Sequence, residues 1–149
     1  MNNKVMVVPM ERRHVKEVAQ LEALCFSKPW SEQGLLAELA NGTAHFFVAQ
    51  SAEEIVGYIG MHIVCDEAYI ANLAVHPGHR KKGVGRTLLH MAQGFALGMG
   101  AKFLSLEVRQ SNQPAISLYR SEGFKTAGKR KGFYTQPKED ALILTLLFN

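Results

Sequence analysis

The sequence predicts an α+β sandwich, with helices packed on a central sheet. Short apolar segments separated by turn residues indicate strands, and longer segments with apolar residues at helical spacing indicate helices. Three strand-like segments follow one another in the middle of the chain, which favours an antiparallel meander. A strand, a glycine-containing loop, a long helix and another strand form the unit around its centre. The expected order of elements is therefore β-α-α-β-β-β-α-β-α-β.

The first half of the chain predicts one strand, two helices and a hairpin. Val15, Val18 and Cys25 recur at helical spacing, which indicates the first helix. Pro29 interrupts this pattern, and the hydroxyl of Ser31 can then cap a second helix. The predicted elements are a strand at 5–8, helices at 12–24 and 32–40, and strands at 45–50 and 55–65.

The second half predicts the end of the meander, two more helices and two more strands. Gly98 is expected to end the long helix, and Pro114 suits the first turn of the next one. No element is predicted between Gly123 and residue 140. The predicted elements are strands at 68–75, 102–108 and 140–148 and helices at 84–97 and 113–122.

Composition limits the class of protein. The chain has 149 residues, of which 47% are hydrophobic and 20% are charged, as expected for one domain with a buried core. No apolar run approaches the roughly 20 residues that a membrane span requires, and the N-terminus does not resemble a signal peptide. Cys25 and Cys65 show no disulfide pattern. We therefore expect a cytoplasmic protein with free thiols.

The positive charge of the chain is compatible with an anionic partner, although a mildly basic surface explains it equally well. The formal net charge is +4 and the isoelectric point is about 9.2. Basic residues cluster at 80–82 with Arg86, and again at 125–131. Charge alone therefore does not separate a small anionic ligand from nucleic acid.

The segment Arg80-Lys81-Lys82-Gly83-Val84-Gly85 has the chemistry of an anion-binding loop. Its two glycines allow the backbone to approach a ligand closely. The helix that is predicted to begin near Val84 directs unpaired N–H groups and the positive end of its dipole toward the same place. Such an arrangement suits a pyrophosphate.

Two nucleotide-binding motifs come close to this chain and fail. Leu88 stands where the dinucleotide fingerprint needs its third glycine. The segment 123–130 follows a helix, and Arg130 occupies the position at which a phosphate-binding loop needs Ser or Thr. The pattern that remains is Arg80-x-x-Gly83-x-Gly85 between a strand and a helix.

This pattern resembles the signature Gln/Arg-x-x-Gly-x-Gly/Ala of the GNAT acetyltransferases. The resemblance implies a GNAT fold over residues 1–149 as a single domain, with a mixed central sheet of about six to seven strands flanked by about four helices. The segments that are similar to the RimI subgroup of this family are Pro29-Trp30-Ser31, Leu106-Glu107-Val108-Arg109, Ser111-Asn112, Ala115-Ile116-x-Leu118-Tyr119, Gly123-Phe124 and Glu139-Asp140-Ala141-Leu142-Ile143-Leu144.

The resemblance also implies a reaction. RimI enzymes acetylate an N-terminal amine, so we expect transfer of acetyl from acetyl-CoA to a protein N-terminus, the N-terminal alanine of a small-subunit ribosomal protein. We expect no metal, no direct contact with nucleic acid or membrane, and a monomer or weak dimer. Acetylation of lysine or a small amine is an alternative, as is a non-catalytic acyl-CoA-binding module. The basic run 125–131 then fits plain surface, an acidic-peptide contact or a ribosome-facing patch.

The cofactor site follows from the same resemblance. In this family the loop amides bind the pyrophosphate of acetyl-CoA, and the preceding strand hydrogen-bonds the pantetheine arm and the acetyl group. The backbone N–H of Val75 is expected to polarise the acetyl carbonyl. Asn112 can cap a helix, contact the cofactor or do both. The implied cofactor-binding residues are Leu73, Ala74, Val75, Arg80, Lys81, Lys82, Gly83, Val84, Gly85, Arg86 and Asn112.

Glu107 matches the general base of RimI enzymes. It alternates with Leu106 and Val108 on a predicted strand, so its side chain points to the opposite face. A model α-amine has a pKa of about 7.7–8.0, against about 10.4 for lysine, so a modest carboxylate base suffices for an N-terminal acceptor. The strand by itself favours a surface glutamate paired with Arg109.

Tyr119 matches the general acid of the same enzymes. Its phenol can donate a hydrogen bond to the cofactor sulfur and then a proton to the leaving thiolate. The alternative is a core tyrosine whose ring packs and whose hydroxyl reaches solvent. Because neither cysteine falls in the catalytic or cofactor segments, we expect direct transfer in a ternary complex rather than an acyl-enzyme.

Trp30 and Tyr134 are the implied substrate-binding residues. Tyr134 ends the segment Lys131-Gly132-Phe133-Tyr134, where RimI-like enzymes usually carry Asn-Tyr-Tyr. Gly132 replaces the asparagine and Phe133 replaces the first tyrosine. This departure leaves the expected reaction unchanged, and it leaves the choice of N-terminal substrate open.

Overall fold

The protein contains one seven-stranded sheet with helices on both faces in a computed structural model that describes residues 4–149. The expected α+β class is confirmed. The strands are Val5–Pro9 (β1), Ala44–Ser51 (β2), Glu54–Val64 (β3), Glu67–Val75 (β4), Phe103–Arg109 (β5), Lys125–Thr135 (β6) and Lys138–Leu147 (β7). The α-helices are Val15–Cys25 (α1), Glu32–Leu39 (α2), Val84–Gly98 (α3) and Gln113–Ser121 (α4), with 3-10 turns at Arg12–His14 and Pro77–His79.

The sheet is mixed, with the strand order β1-β2-β3-β4-β5-β7-β6. Strands β1 to β4 pair antiparallel in sequence, which confirms the expected meander. Strand β5 is parallel to β4, and such a pair needs a crossover, which α3 provides. Strand β7 then inserts antiparallel between β5 and β6.

Strand β6 forms where the residue pattern predicted no element, so the expected order lacks one strand. Its residues include Lys129, Arg130 and Lys131, and most of its positions are exposed. Lysine and glycine are poor strand formers. However, β6 lies at the edge of the sheet, and edge strands tolerate charge because one side meets water. Pairing with β7, rather than propensity, holds these residues extended.

Two hydrophobic cores lie on opposite faces of the sheet. One contains the inward residues of α3, such as Leu88 and Leu89, together with Tyr119 of α4. The other contains Val18 and Leu21 of α1 and residues of α2. The face that carries α3 and α4 is called the α3 face below, and the opposite one the α1 face.

Strands β4 and β5 stay paired for only three residues. Their register runs from Glu67↔Phe103 to Tyr69↔Ser105 and then ends. The two strands therefore part, leaving a gap between residues 70–75 of β4 and 106–109 of β5. This gap is called the fork below.

A bulge in β4 lies at the start of the fork. Met61 pairs with Ile70 and Gly60 pairs with Asn72, so Ala71 is an extra residue in β4. Because an extra residue shifts the two-residue alternation, Ile70 packs in the α3-face core whereas Ala74 packs in the α1-face core. The side chain of Asn72, two residues before Ala74, is thereby turned to the α1 face.

Two smaller expectations can be compared with the structure. Cys25 and Cys65 are both free thiols, as predicted. Within residues 4–149, no helix is long and apolar enough to cross a membrane.

Replacing Leu88 by alanine tests which side of helix α3 packs against the sheet. Leu88 is fully buried, so its truncation is expected to lower the free energy of unfolding by about 2–5 kcal/mol. Leu97, on the same helix, is 57% exposed, and Leu97→Ala is expected to cost about 0.5 kcal/mol or less. Urea unfolding followed by circular dichroism measures both changes. Equal losses in the two variants would contradict the assignment.

Candidate active site

The fork exposes backbone groups of β4 that no neighbouring strand uses. The N–H of His76 donates to the carbonyl of Val56 on β3 at 2.8 Å. In an antiparallel pair, alternate residues face the partner strand, so Ala74 also faces β3. The N–H and C=O groups of Leu73 and Val75 therefore point into the fork. These are the groups that the predicted contacts to the pantetheine arm and acetyl carbonyl require.

The predicted anion-binding loop ends at the N-terminus of α3. Gly83 caps the helix with φ of +84°, a left-handed conformation that glycine adopts without strain. No acidic residue lies in the first turn of α3. At Gly85, an added Cβ would lie 3.3 Å from Leu118 and 3.6 Å from Val75, so this turn packs closely on α4 and β4.

The basic residues of the loop divide into two groups. Among residues 4–149, the exposed Lys81 and Lys82 form no ion pair, so their charges remain available to an anion. Arg80 instead donates its Nε to the carbonyl of Val75 at 3.2 Å. Arg86 points toward α4, where it contacts Ser121 Oγ at 3.0 Å and pairs with Glu122. The loop amides with two lysines fit a pyrophosphate, whereas Arg80 and Arg86 are engaged within the protein.

Cys25 lies beside the cofactor segments in space, although it is outside them in sequence. Its Sγ is 3.5 Å from the carbonyl oxygen of Val75 and 3.6 Å from an Nη atom of Arg80. Burial raises the pKa of the Cys25 thiol. A protonated thiol is a poor nucleophile, so this proximity does not favour an acyl-enzyme.

Glu107 points to the α1 face of β5. Its neighbours Leu106 and Val108 pack in the α3-face core, and alternation directs Glu107 to the opposite side. Its Oε2 lies 2.5 Å from Nε of Arg130 on β6. The sequence alternative, a pair with Arg109, is wrong, because Arg109 pairs with Glu139 at 3.2 Å.

Tyr119 reaches the site from the α3 face. The residue is 5% exposed, and its ring lies 5.5 Å from that of Phe124 between centroids. Burial raises the pKa of Tyr119, and the neighbouring Tyr134 raises it further. The raised pKa keeps the phenol protonated near neutral pH, so its proton is available to a ligand.

Tyr134 connects the two predicted catalytic residues. Burial raises its pKa, and the charge of Glu107 adds to the increase. The guanidinium of Arg109 lies 4.4 Å from the centre of the Tyr134 ring. Tyr134 therefore lies within electrostatic range of both Glu107 and Tyr119.

The loop between α1 and α2 meets the turn between β6 and β7. Ser27 Oγ donates to the carbonyl of Gln136 at 2.6 Å, and Lys28 Nζ contacts Thr135 Oγ1. Arg109 donates to the carbonyl of Pro137 at 2.8 Å and supports the same turn from β5. The sequence did not predict this bridge, because its partners are more than 100 residues apart.

The remaining predicted residues lie at the borders of the site. Trp30 belongs to the α1–α2 loop, and its ring packs on the α1-face core against Phe46, 6.0 Å between centroids. Asn112 caps α4 by accepting a hydrogen bond from the N–H of Ala115 at 3.3 Å. The capping role is therefore present, and a further contact from its amide nitrogen stays a prediction.

Known proteins share this arrangement. Residues 15–124 match the acetyltransferase (GNAT) family. The chain belongs to this acetyltransferase family. The fold and the family implied by Arg80-x-x-Gly83-x-Gly85 are thereby confirmed.

The most similar relatives span nearly the whole chain. A Bacillus subtilis protein, provisionally named a [ribosomal protein bS18]-alanine N-acetyltransferase, is 38% identical and covers 100% of this chain and 99% of its own length. The Escherichia coli [ribosomal protein bS18]-alanine N-acetyltransferase is 32% identical, covering 92% of this chain and 93% of itself. Mycobacterium tuberculosis N-alpha-acetyltransferase RimI is 34% identical, and the match covers 94% of this chain and 90% of that protein.

Solved structures agree with the fold. The crystal structure of the Escherichia coli ribosomal-protein-S18-alanine N-acetyltransferase has a TM-score of 0.89 at 30% identity, and the match covers 97% of this chain and 94% of that one. The crystal structure of Arabidopsis thaliana NAA60 in complex with acetyl-CoA also has a TM-score of 0.89, at 19% identity. That match covers 98% of this chain and 99% of the NAA60 chain. The second likeness shows a shared fold.

Replacing Gly83 by valine tests the anion-binding loop. A side chain with a Cβ is strained at a φ of +84°, by about 1–2 kcal/mol, so the loop is expected to leave this conformation. We expect the affinity for acetyl-CoA to fall by about tenfold or more, measured by calorimetry.

Gly94→Ala is the matched control. Gly94 lies inside α3, and an added Cβ would meet no atom within 4 Å. Its affinity for acetyl-CoA is expected to match that of the unaltered protein. Unchanged affinity in Gly83→Val would refute the loop as the pyrophosphate site.

Proposed function

We propose that the protein transfers an acetyl group from acetyl-CoA to the N-terminal α-amine of a protein, the N-terminal alanine of ribosomal protein bS18. The observation that carries this proposal is the placement of Glu107 and Tyr119 on opposite faces of one fork. The names of the full-length relatives from Bacillus subtilis and Escherichia coli support the choice of acceptor.

The two faces of the fork suit two different substrates. The anion-binding loop and Tyr119 lie on the α3 face, so acetyl-CoA binds there with its pantetheine arm along Leu73 to Val75. Glu107 faces the α1 side, below the bridge between the α1–α2 loop and the β6–β7 turn. An amine that enters under this bridge meets the acetyl group from the opposite face. This placement supports direct transfer.

Each polar group has a defined role in the proposed reaction. Bound acetyl-CoA supplies an acetyl group activated as a thioester. The N–H of Val75 donates a hydrogen bond to the acetyl carbonyl. Glu107 accepts a proton from the attacking amine, directly or through a water. Tyr119 gives its proton to the sulfur as the carbon–sulfur bond breaks, and its raised pKa keeps that proton in place beforehand.

Trp30 and Tyr134 are proposed to line the acceptor path, Trp30 from the α1–α2 loop and Tyr134 from β6, within electrostatic range of Glu107. The departure at Gly132 preserves the backbone. Gly132 has φ of +64° and donates its N–H to Asp140 at 2.8 Å. Asparagine is the residue other than glycine that best tolerates this conformation. Exchanging the two therefore keeps the chain path, and Phe133 only removes a hydroxyl from the groove.

The wider assignments belong to the same proposal. One sheet with a core on each face supports a single acetyltransferase domain over residues 1–149. We propose that it acts in the cytoplasm as a monomer or weak dimer, without direct contact with nucleic acid or membrane.

The acceptor amine is tested with two peptides at equal concentration. One begins with a free alanine, and the other is N-terminally blocked and contains one lysine. We expect acetylation of the alanine peptide to be faster, because about half or more of its α-amine is neutral near pH 8, against less than about 1% of a lysine side chain. Mass spectrometry of the products measures both rates. Equal rates would contradict N-terminal selectivity.

Glu107→Gln tests the proposed base. We expect kcat to fall by roughly 10²–10⁴, because the amide accepts no proton, while acetyl-CoA affinity stays unchanged. Glu53, an exposed turn residue, provides the matched control Glu53→Gln, for which no change in kcat is expected. Full activity of Glu107→Gln would remove Glu107 from the mechanism.

The pH dependence of kcat tests Tyr119. Its folded-state pKa lies above the ordinary value of about 10, so the phenol remains protonated at every pH below that value. We therefore expect no decline in kcat between about pH 7 and pH 10, and a loss of roughly 10²-fold in Tyr119→Phe. A falling limb near pH 8 that disappears in Tyr119→Phe would show that the pKa is lowered instead.

A further inference from the structure

A carboxylate of α1 is completely buried beside the fork. Glu22 is 0% exposed. Its Oε1 accepts a hydrogen bond from the N–H of Trp30 at 2.9 Å. Its Oε2 accepts from Asn72 Nδ2 at 2.6 Å and from the hydroxyl of Tyr58. One side chain thereby joins α1, the α1–α2 loop, β3 and β4.

The burial of Glu22 is costly and does not serve helix packing. An apolar residue at this position would suit the core-facing side of α1, which holds Val18 and Leu21. Moving a carboxylate out of water costs several kcal/mol unless its partners compensate. Burial raises the pKa of Glu22, and its hydrogen bonds with Tyr58 and Trp30 oppose that increase. A carboxylate at this position therefore lowers the stability of the fold and fixes the geometry around Asn72.

The hydrogen bonds fix which end of the Asn72 amide faces the fork. The Tyr58 hydroxyl donates a hydrogen bond to Glu22, so its oxygen can accept a hydrogen bond from another group. Asn72 Nδ2 donates to Glu22 at 2.6 Å and to the Tyr58 oxygen at 3.1 Å. Both acceptors require the NH₂ group, which turns Oδ1 away from them. Asn72 is half-buried, and its side-chain hydrogen bonds within residues 4–149 use Nδ2.

Asn72 and Glu107 lie on opposite sides of the fork. Asn72 is three residues past Tyr69, and Glu107 is two residues past Ser105, where the last strand pair ends. The bulge at Ala71 turns Asn72 to the α1 face, which is also the face of Glu107. An amine that approaches from that face therefore meets an oxygen from each strand.

We propose that Asn72 Oδ1, held by Glu22 and Tyr58, accepts a hydrogen bond from the acceptor amine and orients it for attack. This inference rests on the proposed amine acetylation and adds a recognition residue to it. A neutral primary amine has two N–H groups and one lone pair. One N–H donates to Asn72 and the other gives its proton to Glu107, so the lone pair faces the acetyl carbon. The new carbon–nitrogen bond replaces the carbon–sulfur bond, and Tyr119 protonates the sulfur.

Asn72→Ala tests the contact directly. We expect the KM for the amine substrate to rise by about tenfold, which corresponds to one hydrogen bond. The KM for acetyl-CoA should stay within about twofold, because Asn72 faces away from the α3 face. Asn41 is an exposed asparagine whose side chain accepts hydrogen bonds from Thr43, and it provides the control Asn41→Ala, with both constants unchanged.

Glu22→Gln tests Glu22 as a positioning residue. The new amide nitrogen at position 22 faces Asn72 and favours rotation of its amide, which then presents NH₂ to the substrate. We expect the KM for the amine to rise while acetyl-CoA binding and cooperative unfolding persist. If Glu22→Gln fails to fold, Asn72→Ala still decides the proposal.

Two results would overturn this inference. One is an unchanged amine KM in Asn72→Ala, and the other is an equal rise in the KM for acetyl-CoA. The unaltered protein is first assayed with both peptides of the acceptor assay. The peptide that it acetylates faster is then the amine substrate for the variants. A preference for the lysine peptide would refute the N-terminal substrate, whereas the effect of Asn72→Ala on that peptide would still test the contact.

Discussion

The parting of β4 and β5 beyond Tyr69 and Ser105 is the constraint on which the site depends. It leaves backbone groups of Leu73 and Val75 without a partner strand, and a bound ligand can form hydrogen bonds with them. The gap also connects the two faces of the sheet, which continuous pairing of β4 and β5 would close off from each other. The α3 face then holds the anion-binding loop and Tyr119, and the α1 face holds Glu107. A sheet paired along its whole length would have none of these features.

Three ion pairs connect the elements around the site. Arg86 pairs with Glu122, Arg109 with Glu139, and Arg130 with Glu107. These pairs hold α4, the β6–β7 turn and the proposed base in place. Of the basic cluster at 80–82, the two lysines remain available at the N-terminus of α3. The positions of Lys81 and Lys82 therefore indicate an anionic ligand more directly than the net charge of +4 does.

Local patterns were enough to predict most elements, and they failed where tertiary pairing decides. The cap at Ser31 and the long helix after Gly83 follow from residue chemistry, and both are present. Strand β6 does not, because its lysines and glycines favour no element until β7 pairs with them. The bulge at Ala71 is equally invisible, since an extra residue in one strand is defined only against its partner.

The sequence by itself determined the family, and it predicted the anion-binding loop and the residue types for acid–base chemistry, because these depend on short motifs. It also identified Glu107 and Tyr119 without their partners. Only the tertiary structure decided that Arg130 rather than Arg109 pairs with Glu107, that Cys25 lies beside Val75, and that Glu22 holds Asn72. Each of these contacts joins residues 23 or more positions apart, and the distance between such residues depends on how strands pair and helices pack.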